Sequence, residues 1–327
     1  MVVTGGGGYL GACLTIELLE AGHHVLVLDS LLFGRDGIKP FFGHPRFRFL
    51  PVNVSKDHTQ VAKLVKGYDA VVHLAAIVGE KLCNQYPDLA RASNLDATRT
   101  MVMACQAASI RRFFFASTCS NYGVQDSAIY VEETRDVSPT SLYSETKIAA
   151  EKYIMGHSVD GFQPLILRFA TLCGISPMMR FDLLLNELVR DAYVVHKTRI
   201  VKPEAWRPFL AVRDAANAIS QFLLRESTSG IYNVGLNSNN ISKNDLAQLI
   251  KSEVGDIEIE LVLGGVTERN YRVSFSKLEH IIDTRRWKSL DESIVEIHEA
   301  LRNAVVKGDE GEHEINPSLS QTSSTPD

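Results

Sequence analysis

Residues 4–11 read Thr4-Gly5-Gly6-Gly7-Gly8-Tyr9-Leu10-Gly11. This run follows a short apolar stretch and opens a helical pattern. Gly5 permits a tight turn, Gly8 lets the backbone approach a pyrophosphate closely, and Gly11 lets the helix pack on the strand. The first N–H groups of that helix then face the phosphate. The stretch therefore predicts a dinucleotide-binding strand, turn and helix.

The first 170 residues alternate β-rich runs with helical patterns. Strands are predicted at Met1–Val3, Val25–Leu28, Phe47–Leu50, Ala70–Leu74, Phe113–Ala116 and Pro164–Phe169, and helices at Leu10–Ala21, Asp57–Val65, Leu89–Ala108 and Tyr143–Met155. Strands that are separated by helices are connected by parallel crossovers. The pattern predicts an α/β chain with a Rossmann-type, doubly wound parallel sheet.

The pattern becomes less regular after Phe169. Helices are expected near Arg180–Val195 and Asp214–Leu224, with a loop around Val201–Arg207. We therefore expect a dinucleotide-binding domain at 1–170 and a smaller α/β domain, mainly for substrate, at 171–306. Some segments of this second part are expected to return to the large sheet. Residues 307–327 are polar and are predicted to form a disordered tail.

The composition of the 327 residues argues against several classes of protein. With 45% apolar residues and a net charge of −5, the chain is globular and has no basic footprint for nucleic acid. Its longest apolar run, Ala70–Val78, is too short to span a membrane, and we expect a cytoplasmic protein without a membrane partner. The five cysteines and ten histidines show no metal-ligand spacing, so no metal site is predicted.

Asp29 ends the second predicted strand. A carboxylate at this position accepts hydrogen bonds from both hydroxyls of the adenosine ribose. The same negative charge repels a 2′-phosphate. Asp29 therefore favours NAD over NADP as the cofactor.

Tyr143 and Lys147 lie four residues apart, in Tyr143-Ser144-Glu145-Thr146-Lys147, and so share one helix face. A free tyrosine, with a pKa of about 10, is a poor base at neutral pH. A nearby ammonium group and the positive nicotinamide ring stabilise its phenolate, and Lys147 can also hold the nicotinamide ribose. The competing interpretation is an ordinary amphipathic helix with a core tyrosine and a surface lysine.

Further motifs follow in a fixed order: His73-Leu74-Ala75-Ala76, Asn94, Ser117-Thr118-Cys119-Ser120-Asn121-Tyr122-Gly123, and Leu167-Arg168-Phe169. Together with the glycine turn, Asp29 and the Tyr143/Lys147 pair, they resemble the landmarks of the extended short-chain dehydrogenase/reductase family. The resemblance covers roughly residues 1 to 300. It is greatest to the NAD-dependent nucleotide-sugar epimerases and dehydratases of the UDP-galactose 4-epimerase type.

This resemblance implies a role for individual residues. Thr118 would hydrogen-bond the reacting sugar hydroxyl, Tyr143 would take its proton, and Lys147 would tune Tyr143. The substrate diphosphate would be contacted by Asn186 and Arg207 and by Arg269 or Arg272, although these last two are as well explained by surface ion pairs. The implied NAD contacts are Gly5, Gly8, Tyr9, Leu10, Gly11, Asp29, Asn53, Val54, Leu74, Ala75, Ala76, Asn94, Tyr143, Lys147 and Phe169.

Cys119 and Ser120 narrow the expected reaction. Relatives that expel water place an Asp-Glu pair there, because dehydration needs two more proton-transfer groups. Decarboxylating relatives keep a glutamate at the second position, and relatives that epimerise at C3 and C5 or reduce keto sugars place a cysteine there. We therefore expect a C4 epimerase of a nucleotide sugar. The alternatives are a dehydratase or reductase of the same family and, from another class, a non-catalytic NAD-binding sensor or scaffold.

The expected assembly is a homodimer. Met101-Val102-Met103-Ala104-Cys105 is apolar on every helical face, which is more than one sheet contact can cover. In related enzymes this helix and the one at Tyr143–Met155 pair with their copies in a four-helix interface.

Overall fold

A computed structural model of the protein describes residues 1–55, 58–126, 130–134, 136–159, 161–264 and 269–303. The strands of its large sheet are β1 Val2–Thr4, β2 Val25–Asp29, β3 Phe47–Pro51, β4 Ala70–His73, β5 Arg112–Thr118, β7 Gln163–Phe169 and β11 Gly230–Val234. The smaller strands are β6 Tyr130–Val131, β8 Thr171–Cys173, β9 Lys197–Val201, β10 Trp206–Ala211, β12 Asn240–Ser242, β13 Glu258–Val262 and β14 Arg272–Val273. The predicted helix start at Asp57 and the predicted tail at 307–327 lie outside the described residues.

The large sheet has the order β11-β7-β5-β4-β1-β2-β3, and all its strands are parallel. The chain builds outward from β1 in one direction to β3, and then from β4 in the other direction. The order therefore reverses between β1 and β4, which is where such sheets bind ligands. The predicted fold class is confirmed. β11 comes from the second half of the chain, and it pairs with β7 in register Gly230↔Leu165 to Val234↔Phe169.

The helices are α1 Tyr9–Glu20, α2 His58–Val65, α3 Glu80–Gln85, α4 Pro87–Arg91, α5 Ala97–Ala107, α6 Leu142–Gly156, α7 Leu184–Val195, α8 Val212–Leu223, α9 Lys243–Val254, α10 Ser276–Glu279 and α11 Leu290–Arg302. The predicted helical stretch over Leu89–Ala108 is confirmed up to Ala107, but it is not one regular α-helix. A π-helical turn at Ala92–Asp96 separates α4 from α5. Its wider turn adds a residue to the helical path and turns Asn94 into the core, where it is buried.

The second part of the chain forms a smaller α/β unit. A three-stranded sheet, β12-β10-β8, lies in it, and two-stranded pairs are formed by β13 with β9 and by β14 with β6. Helices α7, α9 and α11 share a core that includes Leu185, Val189, Leu246 and Ile294. The predicted loop at Val201–Arg207 is shorter than expected, because β9 ends at Val201 and β10 begins at Trp206.

The structure changes the basis of the dimer prediction. Met101, Val102, Ala104 and Cys105 are all fully buried against the sheet of their own chain, whereas Met103 is 42% exposed. Residues of α2 and α6 share this core with the sheet, so elements of the same chain cover most of the segment. The homodimer itself stays a prediction. Among the described residues, no helix is long and apolar enough to cross a membrane.

Candidate active site

A cleft opens at the carboxyl ends of the central strands, on both sides of the point where the strand order reverses. Of the residues predicted from the sequence, it is lined by Gly5, Gly8, Tyr9, Leu10, Gly11, Asp29, Asn53, Val54, Leu74, Ala75, Ala76, Thr118, Tyr143, Lys147, Phe169 and Arg269. Carboxyl ends of parallel strands meet at one edge of a sheet, so motifs far apart in sequence converge here.

The glycine turn lies directly against the loop after β4. Gly5 has a φ of +70°, and a Cβ atom added to it would approach the backbone N of Ala75 to 2.6 Å. A Cβ at Gly11 would collide with the carbonyl oxygen of Gly5. Gly8 precedes α1 and supplies no side-chain cap, so the first N–H groups of that helix remain available to a ligand at the cleft.

Asp29 is fixed beside this turn by two backbone N–H groups. Its Oδ2 accepts a hydrogen bond from the N–H of Gly7 at 2.9 Å, and its Oδ1 accepts one from the N–H of Leu31 at 2.8 Å. Burial raises the pKa of the Asp29 carboxyl, and these two N–H groups oppose the rise. Each oxygen keeps a further lone pair for a ligand hydroxyl.

Thr118, Tyr143 and Lys147 meet at the opposite side of the cleft from Asp29's strand, where β5 ends and α6 begins. A capping box between Ser141 and Ser144 starts α6, which places Tyr143 in its first turn. Thr118 accepts a hydrogen bond from the N–H of Ser120 at 3.1 Å, and its side chain lies close enough to Tyr143 to lower the pKa of that hydroxyl. The three side chains can therefore act on one substrate hydroxyl.

Lys147 is almost completely buried next to β5. Its Nζ donates to the carbonyl oxygen of Ala116 at 2.8 Å and lies 4.6 Å from the centre of the Phe115 ring. Burial lowers the pKa of Lys147 to about 8. The structure thus excludes the competing interpretation of Lys147 as a surface residue of an amphipathic helix.

Burial also raises the pKa of Tyr143 above its usual value, and the neighbouring Cys83 adds to the rise. Arg180, Arg269 and the side chain of Thr118 lower this pKa in turn. Tyr143 is therefore neutral in the protein alone at pH 7. A positive charge on a bound ligand would favour its phenolate.

Asn94 does not line the cleft but supports its wall. Its Oδ1 accepts from the N–H of Ile77 at 2.7 Å, and its Nδ2 donates to the carbonyl oxygen of Ile77 at 3.0 Å and to Thr146 Oγ1 at 3.1 Å. Asn94 therefore holds the loop after β4, and its contact with the cofactor stays a prediction. This loop carries Ile77 and Val78, which do line the cleft.

Asn186 also lies behind the cleft, completely buried. Its Oδ1 accepts from the N–H of Gly174 at 2.9 Å, and its Nδ2 donates to the Tyr9 hydroxyl at 3.1 Å and to the carbonyl oxygen of Arg180 at 2.9 Å. These bonds join the smaller unit to the glycine turn. They do not bring Asn186 to the cleft surface, and its contact with a diphosphate stays a prediction.

Arg269 and Arg272 lie in different places relative to the cleft. Arg269 lines the cleft, its Nη1 donates to Ser120 Oγ at 3.3 Å, and its Nε lies 3.0 Å from Glu80 Oε1. Arg272 instead stacks on the Trp206 ring, 3.5 Å from its centre, outside the cleft lining. Of the two alternatives left open by the sequence, the structure places Arg269 where a substrate could reach it.

Arg207 follows Trp206 on β10. Adjacent residues of a strand point to opposite faces, so Arg207 points away from the face on which Arg272 stacks on Trp206. The Arg207 guanidinium lies 5.5 Å from the centre of the Tyr271 ring, and the Tyr271 hydroxyl lies 3.4 Å from Ser120 Oγ. Arg207 therefore lies behind Ser120, with Tyr271 between them, and does not line the cleft itself.

Sequence reasoning missed Arg180, which lines the cleft near Tyr143. It donates to Asp182 at 2.5 Å and to the carbonyl oxygen of Val78 at 3.4 Å, so it links the irregular segment after β8 to the loop after β4. No motif marks this residue, and the sequence placed it at the start of a helix near Arg180–Val195, whereas the helix begins at Leu184. The one local signal for Arg180 in the sequence is an acidic residue, Asp182, two positions later.

The sequence profile of the NAD dependent epimerase/dehydratase family matches residues 1–235. The chain belongs to this family. The predicted resemblance to the extended short-chain dehydrogenase/reductases is therefore confirmed, and NAD is the cofactor. The site fits that cofactor, because the glycine positions leave no room for a Cβ, the start of α1 is uncapped, and Asp29 is held in place for a ribose.

Two curated relatives are each 32% identical to this chain over the matched residues. The uncharacterized UDP-glucose epimerase YtcB of Bacillus subtilis (strain 168) matches over 201 residues, which are 58% of this chain and 61% of YtcB. The 3-beta-hydroxysteroid dehydrogenase of Mycolicibacterium neoaurum matches over 184 residues, 54% of this chain and 46% of that protein. The chain thus matches less than two thirds of the length of either relative.

The fold is shared with solved structures over almost the whole chain. The UDP-glucuronic acid 4-epimerase from Bacillus cereus, in complex with UDP-glucuronic acid and NAD, superimposes with a TM-score of 0.82. The two chains are 21% identical, and the match covers 93% of this chain and 99% of the other. At this identity the similarity establishes the architecture of the family member and not its substrate.

Proposed function

We propose that the protein is an enzyme, an NAD-dependent nucleotide-sugar epimerase that inverts C4 through a transient 4-keto sugar. One observation carries the proposal: Thr118, Tyr143 and Lys147 converge in the cleft, and no carboxylate among the described lining residues lies beside them. Among the described residues that line the cleft, Asp29 is the one carboxylate, and it lies next to the glycine turn. The groups present suffice for reversible oxidation of one hydroxyl.

Cys119 and Ser120 support this reaction over dehydration. Cys119 is fully buried, donates to the carbonyl oxygen of Arg168 at 3.1 Å, and has a pKa raised by burial. A thiol in this state is inert. Ser120 contacts Tyr271 and Arg269 and carries no titratable acid. Neither residue supplies the two extra proton transfers that loss of water requires.

The side chains divide the work on the sugar hydroxyl. Thr118 holds the oxygen of the C4 hydroxyl, and Tyr143 accepts its proton while the C4–H bond breaks. NAD, when bound, supplies the hydride acceptor and then the hydride donor at C4. After the 4-keto sugar has rotated in the cleft and presents its opposite face, Tyr143 returns the proton to the oxygen. Lys147 stabilises the Tyr143 phenolate through its positive charge, so substrate and product are isomers of equal mass.

The steroid dehydrogenase relative suggests a second candidate, the net oxidation of a secondary hydroxyl on an apolar substrate. The same three residues could perform that chemistry. Arg269 argues for the sugar nucleotide, because its guanidinium lines the cleft. A diphosphate offers an anionic group to this guanidinium in addition to Glu80, whereas a sterol offers none. We propose Arg269 as the diphosphate contact.

A non-catalytic NAD-binding protein is the remaining alternative. It has no need for a buried lysine whose ammonium is held against β5, nor for a threonine hydroxyl at the tyrosine. Burying such groups lowers stability. The presence of Thr118, Tyr143 and Lys147 together favours an enzyme.

The proposal is tested by incubating the protein and NAD with UDP-, dTDP-, GDP- and CDP-linked sugars and with a 3β-hydroxysteroid. Mass spectrometry and proton NMR identify the products. We expect an isomer of equal mass with altered ring-proton couplings from a sugar nucleotide. A product lighter by one water would identify a dehydratase, and stoichiometric cofactor reduction by the steroid would identify a dehydrogenase.

A further inference from the structure

A cluster of buried polar side chains lies directly beneath the candidate catalytic residues. It consists of Ser117, Asn121, Glu151 and Arg168, none of which is more than 5% exposed, and we name it the Glu151 cluster. Glu151 lies one helical turn after Lys147 on α6. Ser117 and Asn121 flank the turn that carries Thr118, and Arg168 lies on β7.

The Glu151 carboxylate is the centre of this cluster. Its Oε1 accepts from Ser117 Oγ, from Asn121 Nδ2 at 2.9 Å and from Arg168 Nε at 3.0 Å. Its Oε2 accepts from Arg168 Nη2 at 2.6 Å. A buried ion pair is weak evidence for stability, because apolar residues of similar volume often stabilise a core as well or better. The cluster therefore calls for a role other than packing.

The cluster is also connected beyond its centre. Arg168 Nη1 donates to the Tyr122 hydroxyl at 3.0 Å, and that hydroxyl donates to Asn233 Oδ1 on β11 at 2.8 Å. The Cys119 thiol donates to the carbonyl oxygen of Arg168. The turn at 117–122 is thus attached to α6 at Ser117 and Asn121, and to β7 at Cys119 and Tyr122. Thr118 lies between these attachments.

We propose that Glu151 is a positioning residue that holds the Thr118 hydroxyl at Tyr143. Tyr143 and Glu151 lie two turns apart on the same helix, and Ser117 directly precedes Thr118. The bonds from Ser117 and Asn121 to Glu151 therefore set how the β5 turn sits relative to α6. This inference rests on the proposed function for its kinetic consequence, because Thr118 and Tyr143 must reach the same substrate hydroxyl.

The charge of Glu151 has a second effect on the site. It raises the pKa of Lys147 and so opposes part of the lowering that burial causes. Loss of this charge moves Lys147 toward its neutral form at a lower pH. The Tyr143 phenolate would then lose its ammonium neighbour at the alkaline end of the activity profile.

The decisive variant is the double substitution Glu151→Gln and Arg168→Met, which removes both charges together and leaves side chains of similar length. We expect kcat to fall about 10- to 100-fold, since a misplacement near 1 Å costs about that much. The KM for the sugar nucleotide and the Kd for NAD should stay within about twofold.

A matched control is the half-buried pair of Lys288 and Glu296, 2.8 Å apart, on the segment before α11 and on α11 itself. Lys288→Met with Glu296→Gln removes the same two kinds of charge away from the cluster, and its kcat should match the wild type. If the Glu151/Arg168 double variant kept the wild-type kcat, the positioning role would be overturned and the cluster would be structural only.

Ser117→Ala covers the case in which the double variant does not fold, because it buries no unpaired charge. Its crystal structure should show the Thr118 hydroxyl moved away from Tyr143, and its kcat should fall at an unchanged KM. An unmoved Thr118 would overturn the inference. This structural comparison needs no substrate, so it decides the matter even if the wild type converts no sugar nucleotide and the proposed function fails.

Discussion

The buried ammonium of Lys147 should make the stability of the cofactor-free protein depend on pH in a defined way. Burial lowers its pKa from 10.5 to about 8. A shift of about 2.5 units corresponds to about 3 kcal/mol of destabilisation by the charged form, at 1.36 kcal/mol per unit. The side chain is only 2% exposed, so solvent does not screen this penalty. Lys147→Met removes it.

The direction of the effect follows from the two pKa values. Below about pH 8, Lys147 is charged in the folded and unfolded states, and the wild type carries the whole penalty. As the pH rises toward 10.5, the folded protein loses the proton before the unfolded chain does, which relieves the penalty. The advantage in the free energy of unfolding of Lys147→Met over the wild type should therefore shrink by about 3 kcal/mol between pH 7 and pH 10.5.

The assay is urea unfolding of both proteins, stripped of nucleotide, at pH 7, 8, 9, 10 and 10.5. The lost bond to the carbonyl oxygen of Ala116 adds an offset at every pH, and the slope isolates the charge. Lys152→Met is the matched control, because Lys152 is exposed on the same helix, and its difference from the wild type should be flat. A flat difference for Lys147→Met would refute the buried-charge assignment.

Three further variants test separate parts of the site. Asp29→Ala should weaken NAD binding about tenfold or more, because charge-assisted hydrogen bonds are lost. It should also reduce the ratio of NAD affinity to NADP affinity. Equal affinities of the wild type for NAD and NADP in calorimetry would contradict the role of Asp29. Tyr143→Phe should lower turnover by about two to four orders of magnitude while urea unfolding and NAD affinity stay nearly unchanged, and wild-type turnover would remove Tyr143 as the acid/base. Arg269→Ala should weaken binding of UDP severalfold and Arg272→Ala should not, as measured by calorimetry; equal losses would show that the assignment to Arg269 is wrong.

Much of the site was predictable because local signals and parallel topology act together. The glycine turn fixes where β1 ends, and the strand–helix alternation brings the carboxyl ends of β4 and β5 to the same edge. Ala75, Thr118 and Asp29 then line one cleft, although each lies in a different motif. Short apolar runs between turns located the six strands predicted in the first 170 residues, whereas β11 of the same sheet was not predicted individually.

The errors arise where long-range contacts override a local pattern. Leu89–Ala108 has an unbroken helical pattern, but the bonds between Asn94 and Ile77 accompany a π-helical turn that no periodicity marks. Arg180 lies in irregular backbone, so only the folded chain brings it to Tyr143. The apolar run at 101–105 indicated a second interface, whereas the sheet and its neighbouring helices cover most of it.

The central claim is that hydride leaves and returns at one carbon, and isotope labelling at C4 tests it most directly. The best sugar-nucleotide substrate would be prepared with deuterium at C4 and converted by the protein in ordinary water. Epimerisation with Thr118, Tyr143 and Lys147 as the reacting groups predicts a product of unchanged mass that keeps the deuterium at C4, now with the opposite configuration in the NMR couplings. Loss of the label to solvent, or a product lighter by one water or one carbon dioxide, would contradict it.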